Sequence, residues 1–127
     1  MNKAKIITAL MDSEKQYGLV DTLHRVFGKN ILVNLGFSKR VCDHAIEELD
    51  LSVRGYNALR RAGVITLGDL IELLNADLLK SVRNLGAKSI SEIKTKITVF
   101  GFERLSEREK GEFFGYLVDN NTRIDLI

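Results

Sequence analysis

The sequence contains no proline and no tryptophan, and it has a single cysteine, Cys42. One cysteine excludes a disulfide within the chain, and the two histidines, His24 and His44, have no cysteine or second histidine nearby at metal-ligand spacing. Long uncharged runs are missing, as are the apolar run and cleavage site of a signal peptide. We therefore expect no metal, no cofactor, no membrane association and a cytoplasmic location.

Catalytic patterns are missing as well. The sequence has no Ser/His/Asp or Cys/His arrangement, no glycine-rich phosphate loop ending in Gly-Lys-Ser or Gly-Lys-Thr, and no carboxylate pair in apolar surroundings. No catalytic residue can be named, so we expect the protein not to be an enzyme. What is present is 45% hydrophobic and 28% charged residues in a protein of 127, enough to bury the core of one domain.

Charge is distributed unevenly, although the net charge is only +2. Between residues 51 and 68 there are three basic residues and no acid, and the same holds between residues 78 and 91. Three acids, Glu47, Glu48 and Asp50, stand just before the first basic segment. Two basic patches beside an acidic one suggest two different partners, whereas the simpler reading is that these are solvated helix faces.

Helical periodicity dominates, and no clean period-2 run exceeds a few residues, so we expect an all-α protein. Its predicted organisation is a helical N-terminal extension over 1–44, a core with two helix-hairpin-helix-like units over 45–103, and a C-terminal helix over 104–127. Apolar stripes on both extensions must be covered, either by the rest of the chain or by a second subunit, so the oligomeric state stays open.

Helix boundaries can be predicted from capping residues. Ser52, the pair Thr66 and Asp69, and the pair Ser106 and Glu109 each mark a helix start. Four finer predictions concern helix ends and burial: Gly63 closes the first core helix, Gly101 ends the long helix that starts near residue 87, Asn75 caps a further turn, and Val53 and Ala62 join the core.

Residues 46–102 resemble the C-terminal domain of the bacterial RNA polymerase alpha subunit. The strings that carry the resemblance are ELDLSVRGYNALRRAGVITLGDL and VRNLGAKSISEIK. Together they are far more specific than a single helix-hairpin-helix motif. Nothing in the sequence resembles the alpha N-terminal domain, so we expect a freestanding relative.

The resemblance implies a compact helical domain that binds the minor groove of A·T-rich double-stranded DNA and contacts RNA polymerase or sigma factor. The acids that face sigma factor in the family fall near Glu48 and Asp50, and Glu47 beside them is a further candidate for this protein contact. One residue more than the family spacing stands between Leu79 and Asn84, which predicts a longer turn and a shift of Asn84. The DNA-contacting pattern of the family carries over to Arg54, Asn57, Asn84, Gly86, Lys88, Ser89 and Glu92.

Physical chemistry gives several of these residues a role independently. An A·T-rich tract narrows the minor groove and deepens its negative potential, which favours an inserted guanidinium such as that of Arg54. Gly86 has no Cβ and so permits close backbone approach, and the N–H groups that follow it begin a helix and are available to a phosphate. Lys88 adds charge and Ser89 a hydroxyl donor, while Glu92 is expected to orient Lys88 or Arg54 by an ion pair.

Two other functions fit the same sequence. The protein could be an interaction module that mimics the alpha domain without binding DNA. It could also be an accessory domain of DNA repair that contacts phosphates without sequence preference. A salt-controlled binding assay separates the three functions, because only the first predicts a preference for A·T-rich DNA.

Overall fold

The computed structural model describes residues 2–28 and 34–121. Within these ranges the protein is all-α, as predicted, and the only extended pairing is an isolated bridge between Ala45 and Thr66. The helices are α1 Lys3–Tyr17, α2 Leu19–Phe27, α3 Lys39–Cys42, α4 Val53–Arg61, α5 Leu67–Asn75, α6 Ala87–Glu103 and α7 Glu107–Asn120, with single 3₁₀ turns at Ile46–Leu49 and Leu79–Ser81. None of the described helices has the length and apolar content needed to cross a bilayer.

Four helices begin at side-chain caps. Ser52 accepts from the N–H of Gly55, and Asn2 accepts from the N–H of Lys5 at the start of α1. Thr66 with Asp69, and Ser106 with Glu109, form full capping boxes, as the sequence predicts. Each cap satisfies backbone donors that the first turn of a helix leaves unpaired.

The Asp69 carboxylate also gives α5 a pH-dependent contribution. Its Oδ2 accepts from the N–H groups of Thr66 and Ile65, at 3.1 and 3.0 Å, and these bonds lower the pKa of Asp69. A lowered folded pKa means that this stabilisation is present above the ordinary carboxyl pKa and is lost as the pH falls.

We expect Asp69→Ala to cost about 1 kcal/mol of unfolding free energy at neutral pH, the usual scale for losing a cap. Urea unfolding followed by circular dichroism measures this cost, with Asp12→Ala on α1 as the control. The difference from wild type should shrink as the pH falls below about 4. A difference that stayed constant down to about pH 3 would show that the carboxylate charge has no part in the cap.

The extensions pack onto the core within one chain. Helix α1 lies against α7 and α2, and α2 also lies against α6. Buried side chains from the extensions, such as Leu10, Leu23 and Phe114, join the same apolar cluster as Leu59 and Ile97 of the core. The apolar stripes on the extensions are thus covered by the rest of the same chain, which is the first of the two alternatives that the sequence left open.

Residues 34–38, which directly precede α3, fasten the extensions to the core. The Asn75 side chain accepts from the N–H of Leu35 at 2.7 Å and donates to its carbonyl at 2.9 Å. The Phe37 ring lies directly over Gly101, where an added Cβ would overlap it, and it stacks on Phe113 with ring centroids 5.3 Å apart. Pairing of the Leu35 backbone with the Asn75 amide thus replaces the capping role predicted for Asn75.

Three sequence predictions about the core were wrong. Helix α6 does not end at Gly101 but continues to Glu103. The glycine at position 101 makes room for the Phe37 ring and does not mark the end of the helix. Val53 is 76% exposed and Ala62 is also exposed, since the first residue and the C-cap of a short helix turn away from the core. The predicted close at Gly63 was correct, for this residue has a φ of 85°, which favours glycine.

Candidate nucleic-acid interface

The candidate interface is built on α4 and on the turn that leads into α6. Arg54 and Asn57 lie three residues apart on α4, so both side chains project from one face of the helix. Together with Arg61 and Asn84 they line a shallow polar depression. The structure therefore places Asn84 beside Arg54, and the longer turn before Asn84 does not separate the two.

Asn84 adopts a left-handed backbone conformation, with φ of 69°. Asparagine tolerates this conformation better than most residues, and the turn it forms brings Leu85 into the core while its own side chain stays exposed. Gly86 follows with φ of −90°, and an added Cβ there would meet nothing within 4 Å. The turn itself therefore does not require a glycine, and a larger residue would fit at this position without backbone strain.

The start of α6 is open. No described side chain caps this helix, in contrast to α4, α5 and α7. The N–H groups of Ala87, Lys88 and Ser89 belong to its first turn and have no intrahelical acceptor. The Lys88 side chain is exposed, and that of Ser89 is half-buried in the same first turn. An oxyanion would find backbone donors, the positive end of a 17-residue helix and an ammonium group at one place.

Glu92 joins the two halves of the interface, but not in the way the sequence suggested. Its Oε1 accepts from the N–H of Ser52 at 3.1 Å, so the carboxylate of α6 caps the start of α4. Among the described residues no ion pair links Glu92 to Lys88 or Arg54, and the predicted orienting role was wrong. The bond instead sets α4 and Arg54 at a fixed position relative to the first turns of α6.

Cations at this surface have no anionic partner within residues 2–28 and 34–121. Among the described residues, the side chains of Arg54, Arg61, Arg83 and Lys88 form no ion pair and no hydrogen bond with the protein. Elsewhere lysines and arginines commonly have such partners, as in the Arg40–Glu109 and Arg108–Glu112 pairs. Unpaired cations gathered on one surface favour an external anion as their partner.

The three acids before α4 have separate surroundings. Glu48 accepts from the N–H of Ala45 and pairs with His44 at 2.9 Å, and the His44 bond contributes most to lowering the pKa of Glu48. Glu47 is 3.9 Å from Arg60. Asp50 has a φ of 52°, and its backbone carbonyl accepts from the Lys96 ammonium. The Asp50 residue itself is exposed. Glu47 and Asp50 are therefore more open to a partner than Glu48.

The remaining candidates for chemistry have structural positions. Cys42 is half-buried, and burial raises the pKa of its thiol, which disfavours the reactive thiolate. His44 packs edge-on against Phe100, with ring centroids 5.3 Å apart. Within the described ranges no three metal-ligating side chains come together.

Comparison with known proteins identifies the part of the sequence that carries this surface. Residues 37–98 match the sequence model of a family described as the C-terminal domain of the alpha chain of bacterial RNA polymerase. This segment is therefore similar to that family of domains over 62 of the 127 residues. The alpha C-terminal domain match starts nine residues earlier than the predicted limits of 46–102 and takes in α3, while α1, α2 and α7 lie outside it.

Relatives of the alpha C-terminal domain segment are full RNA polymerase alpha subunits. The protein is 46% identical to the DNA-directed RNA polymerase subunit alpha of Carboxydothermus hydrogenoformans over 56% of its own length and 22% of that relative. It is 50% identical to the subunit of Symbiobacterium thermophilum over 49% of its own length and 19% of that relative. For Moorella thermoacetica the identity is 47%, over 55% of this protein and 22% of the relative.

The protein thus spans about a fifth of the length of the curated relatives it matches. No solved structure matches it at a significant level. The alpha C-terminal domain is a non-catalytic domain of transcription, in agreement with the predicted class of function.

One residue of the interface escaped sequence reasoning. Arg61 was noted only as part of a basic segment, yet it lines the depression with Arg54, Asn57 and Asn84. The helical spacing could have found it, because positions 54, 57 and 61 repeat at three and four residues. Arg60, with the same side chain, faces Glu47 instead.

Proposed function

We infer that this protein is a non-catalytic DNA-binding protein of transcription that docks on the minor groove of A·T-rich DNA. The observation that carries the proposal is the group of unpaired cations on α4 and at the open start of α6, within a segment of the alpha C-terminal domain family. Arg54 and Asn57 enter the groove, and Asn84 borders it. Gly86, Lys88 and Ser89 hold a backbone phosphate, while Glu92 positions α4 against α6.

The choice of groove follows from the kind of side chain. A guanidinium is planar and weakly hydrated, so it suits the narrow and strongly negative groove of an A·T-rich tract. The minor groove offers only acceptors at A·T pairs, and it adds the amino donor of guanine at G·C pairs. Arginine is a donor without acceptors, so an inserted Arg54 favours the A·T pattern.

The experiment that tests this function is a fluorescence titration of labelled A·T-rich and G·C-rich duplexes at several salt concentrations. We expect tighter binding to the A·T-rich duplex and affinity that falls steeply with salt. Equal binding to both duplexes would instead support an accessory domain of DNA repair. No binding to either duplex, with capture of RNA polymerase or sigma factor, would support an interaction module that lacks DNA binding.

Contact with RNA polymerase or sigma factor is a second part of the proposal. The supporting observation is an exposed acidic stretch at Glu47 and Asp50, which closely precedes the start of α4. A protein docked there and DNA docked at Arg54 would occupy adjoining surfaces. Glu48 contributes less directly, since its carboxylate is engaged by His44 and the backbone of Ala45.

The phosphate role of the second half of the interface gives a separate prediction. Lys88→Ala should weaken binding to all duplexes about equally and reduce the salt slope by about 0.9, the value for one lost phosphate contact. Gly86→Val should weaken binding further, because its branched side chain would stand where the phosphate approaches. The turn should tolerate it, since the backbone of Gly86 has an ordinary φ and open space around it.

Thermal unfolding of each variant serves as the control, with unchanged stability expected for both. The measurement is the same duplex titration over a range of salt. A Lys88→Ala protein with an altered base preference and an unaltered salt slope would contradict the phosphate assignment.

A further inference from the structure

A second depression adjoins the interface and shares two of its residues. Arg61 and Asn84 belong to both depressions. The second is also lined by the polar residues Arg83 and Ser81 and by apolar residues such as Leu73 and Val82. Arg61 comes from the end of α4, and Arg83 from the turn between the 3₁₀ turn Leu79–Ser81 and α6. Two separate elements thus bring two arginines to one place.

Both arginines lack a counter-ion in the part of the chain that the structure describes. Neither Arg61 nor Arg83 forms an ion pair or a hydrogen bond with another described residue. Between residues 78 and 91 there is no acid at all. Placing two cations at one depression without an acid costs free energy unless an anion from outside neutralises them.

Helix geometry tells which part of DNA these arginines would meet. Arg54 and Arg61 are seven residues apart on one face of α4, which at about 1.5 Å per residue is about 10 Å along the helix. The minor groove is only about 6 Å wide. If Arg54 occupies the groove and α4 runs across it, Arg61 lies past the groove wall, where the phosphates of the flanking backbone stand.

We propose that Arg61 and Arg83 form a second phosphate site, on the DNA strand flanking the groove that Arg54 enters. The ligand class is the phosphodiester backbone of double-stranded DNA, and the site rests on the proposed DNA-binding function. Its contacts carry no base preference, because phosphates are the same in every sequence. With Lys88 and the start of α6 as the first phosphate site, the protein holds the DNA backbone at two places in addition to the groove contact of Arg54.

The test compares salt slopes for Arg61→Ala, Arg83→Ala and the double variant, using A·T-rich and G·C-rich duplexes. Each single change should reduce the slope by about 0.9, and the double change by about 1.8. Raising the salt from about 50 to about 200 mM should then cost the double variant about tenfold less affinity than it costs wild type. The ratio of A·T-rich to G·C-rich binding should stay at its wild-type value.

Arg60→Ala is the matched control, because it removes the same charge from the residue next to Arg61. Arg60 itself faces Glu47. It should leave the salt slope nearly unchanged. Arg61→Lys should retain most of the slope, since a phosphate contact needs a charge rather than a planar fork. All variants should keep the wild-type circular dichroism spectrum, as none of the altered side chains is buried.

Three results would overturn the proposal, and each can be distinguished from the others. In the first, the wild-type protein binds DNA but the double variant has the same salt slope as Arg60→Ala. Arg61 and Arg83 would then not contact DNA, while the proposed DNA-binding function would still hold. If the wild-type protein binds no duplex at all, both the second phosphate site and the proposed DNA-binding function are wrong. A double variant that loses the A·T preference with an unchanged slope would likewise overturn it, by showing base contacts instead of phosphate contacts.

Discussion

Phe114→Ala should destabilise the whole protein by about 3–5 kcal/mol, the range for removing a fully buried phenylalanine. Phe114 has no exposed surface, although it lies on α7, outside the segment of the alpha C-terminal domain family. Its ring centroid is 5.4 Å from that of Phe113 and 5.6 Å from that of Phe102. Phe102 is at the end of α6, so loss of the Phe114 ring opens a cavity where the extension meets the core.

Urea unfolding measures this effect, with Val53→Ala as the control. Val53 is 76% exposed, and its truncation should change the free energy of unfolding by no more than about 0.5 kcal/mol. Wild type and both variants should each unfold in one transition, since extensions and core share one apolar cluster. Two separate transitions, with Phe114→Ala affecting only one of them, would mean that the extensions and the core fold independently.

Arg54→Ala should weaken binding to A·T-rich duplex by about 1–3 kcal/mol, the usual effect of losing one good groove contact. The preference over G·C-rich duplex should fall with it, because Arg54 is the residue assigned to the groove. Arg54→Lys should restore only part of the affinity, since a compact ammonium does not fill a narrow groove as a planar guanidinium does. This pattern is the reverse of that expected for Arg61, where lysine should serve nearly as well.

Fluorescence titration at one salt concentration measures the loss, with Arg108→Ala as the control. The control removes the same charge from α7, where Arg108 pairs with Glu112 at 2.6 Å. A net-charge effect alone would weaken both variants equally. If a folded Arg54→Ala protein binds A·T-rich duplex with the affinity of the wild type, Arg54 does not enter the minor groove.

Local features of the fold followed from the sequence because the interactions that set them are local. Thr66 with Asp69 and Ser106 with Glu109 are close neighbours in sequence, so spacing alone predicts the two capping boxes. Gly101 and Asn75 could not be interpreted in this way. Their roles depend on Phe37 and Leu35, which are distant from them in the sequence. A glycine that ends a helix and one that admits a ring look alike in sequence.

The candidate site divides in the same manner. Helical spacing and the family resemblance both pointed to Arg54 and Asn57, and the structure brings Asn84 to them. Glu92 was misread, since a carboxylate beside basic residues suggests an ion pair, whereas folding places it at the N–H of Ser52. Arg61 and Arg83 were not separated from Arg60 and Lys80, because only the packing of α4 and the turn shows which cations find an acid.

Inosine substitution tests the central claim, that the protein reads A·T pairs from the minor groove. An inosine·cytosine pair keeps the major-groove pattern of G·C but lacks the amino group that G·C presents in the minor groove. The measurement is the affinity for three matched duplexes, with A·T, G·C or inosine·cytosine pairs at the site. We predict that the inosine duplex binds like the A·T duplex. Binding like the G·C duplex would contradict the account.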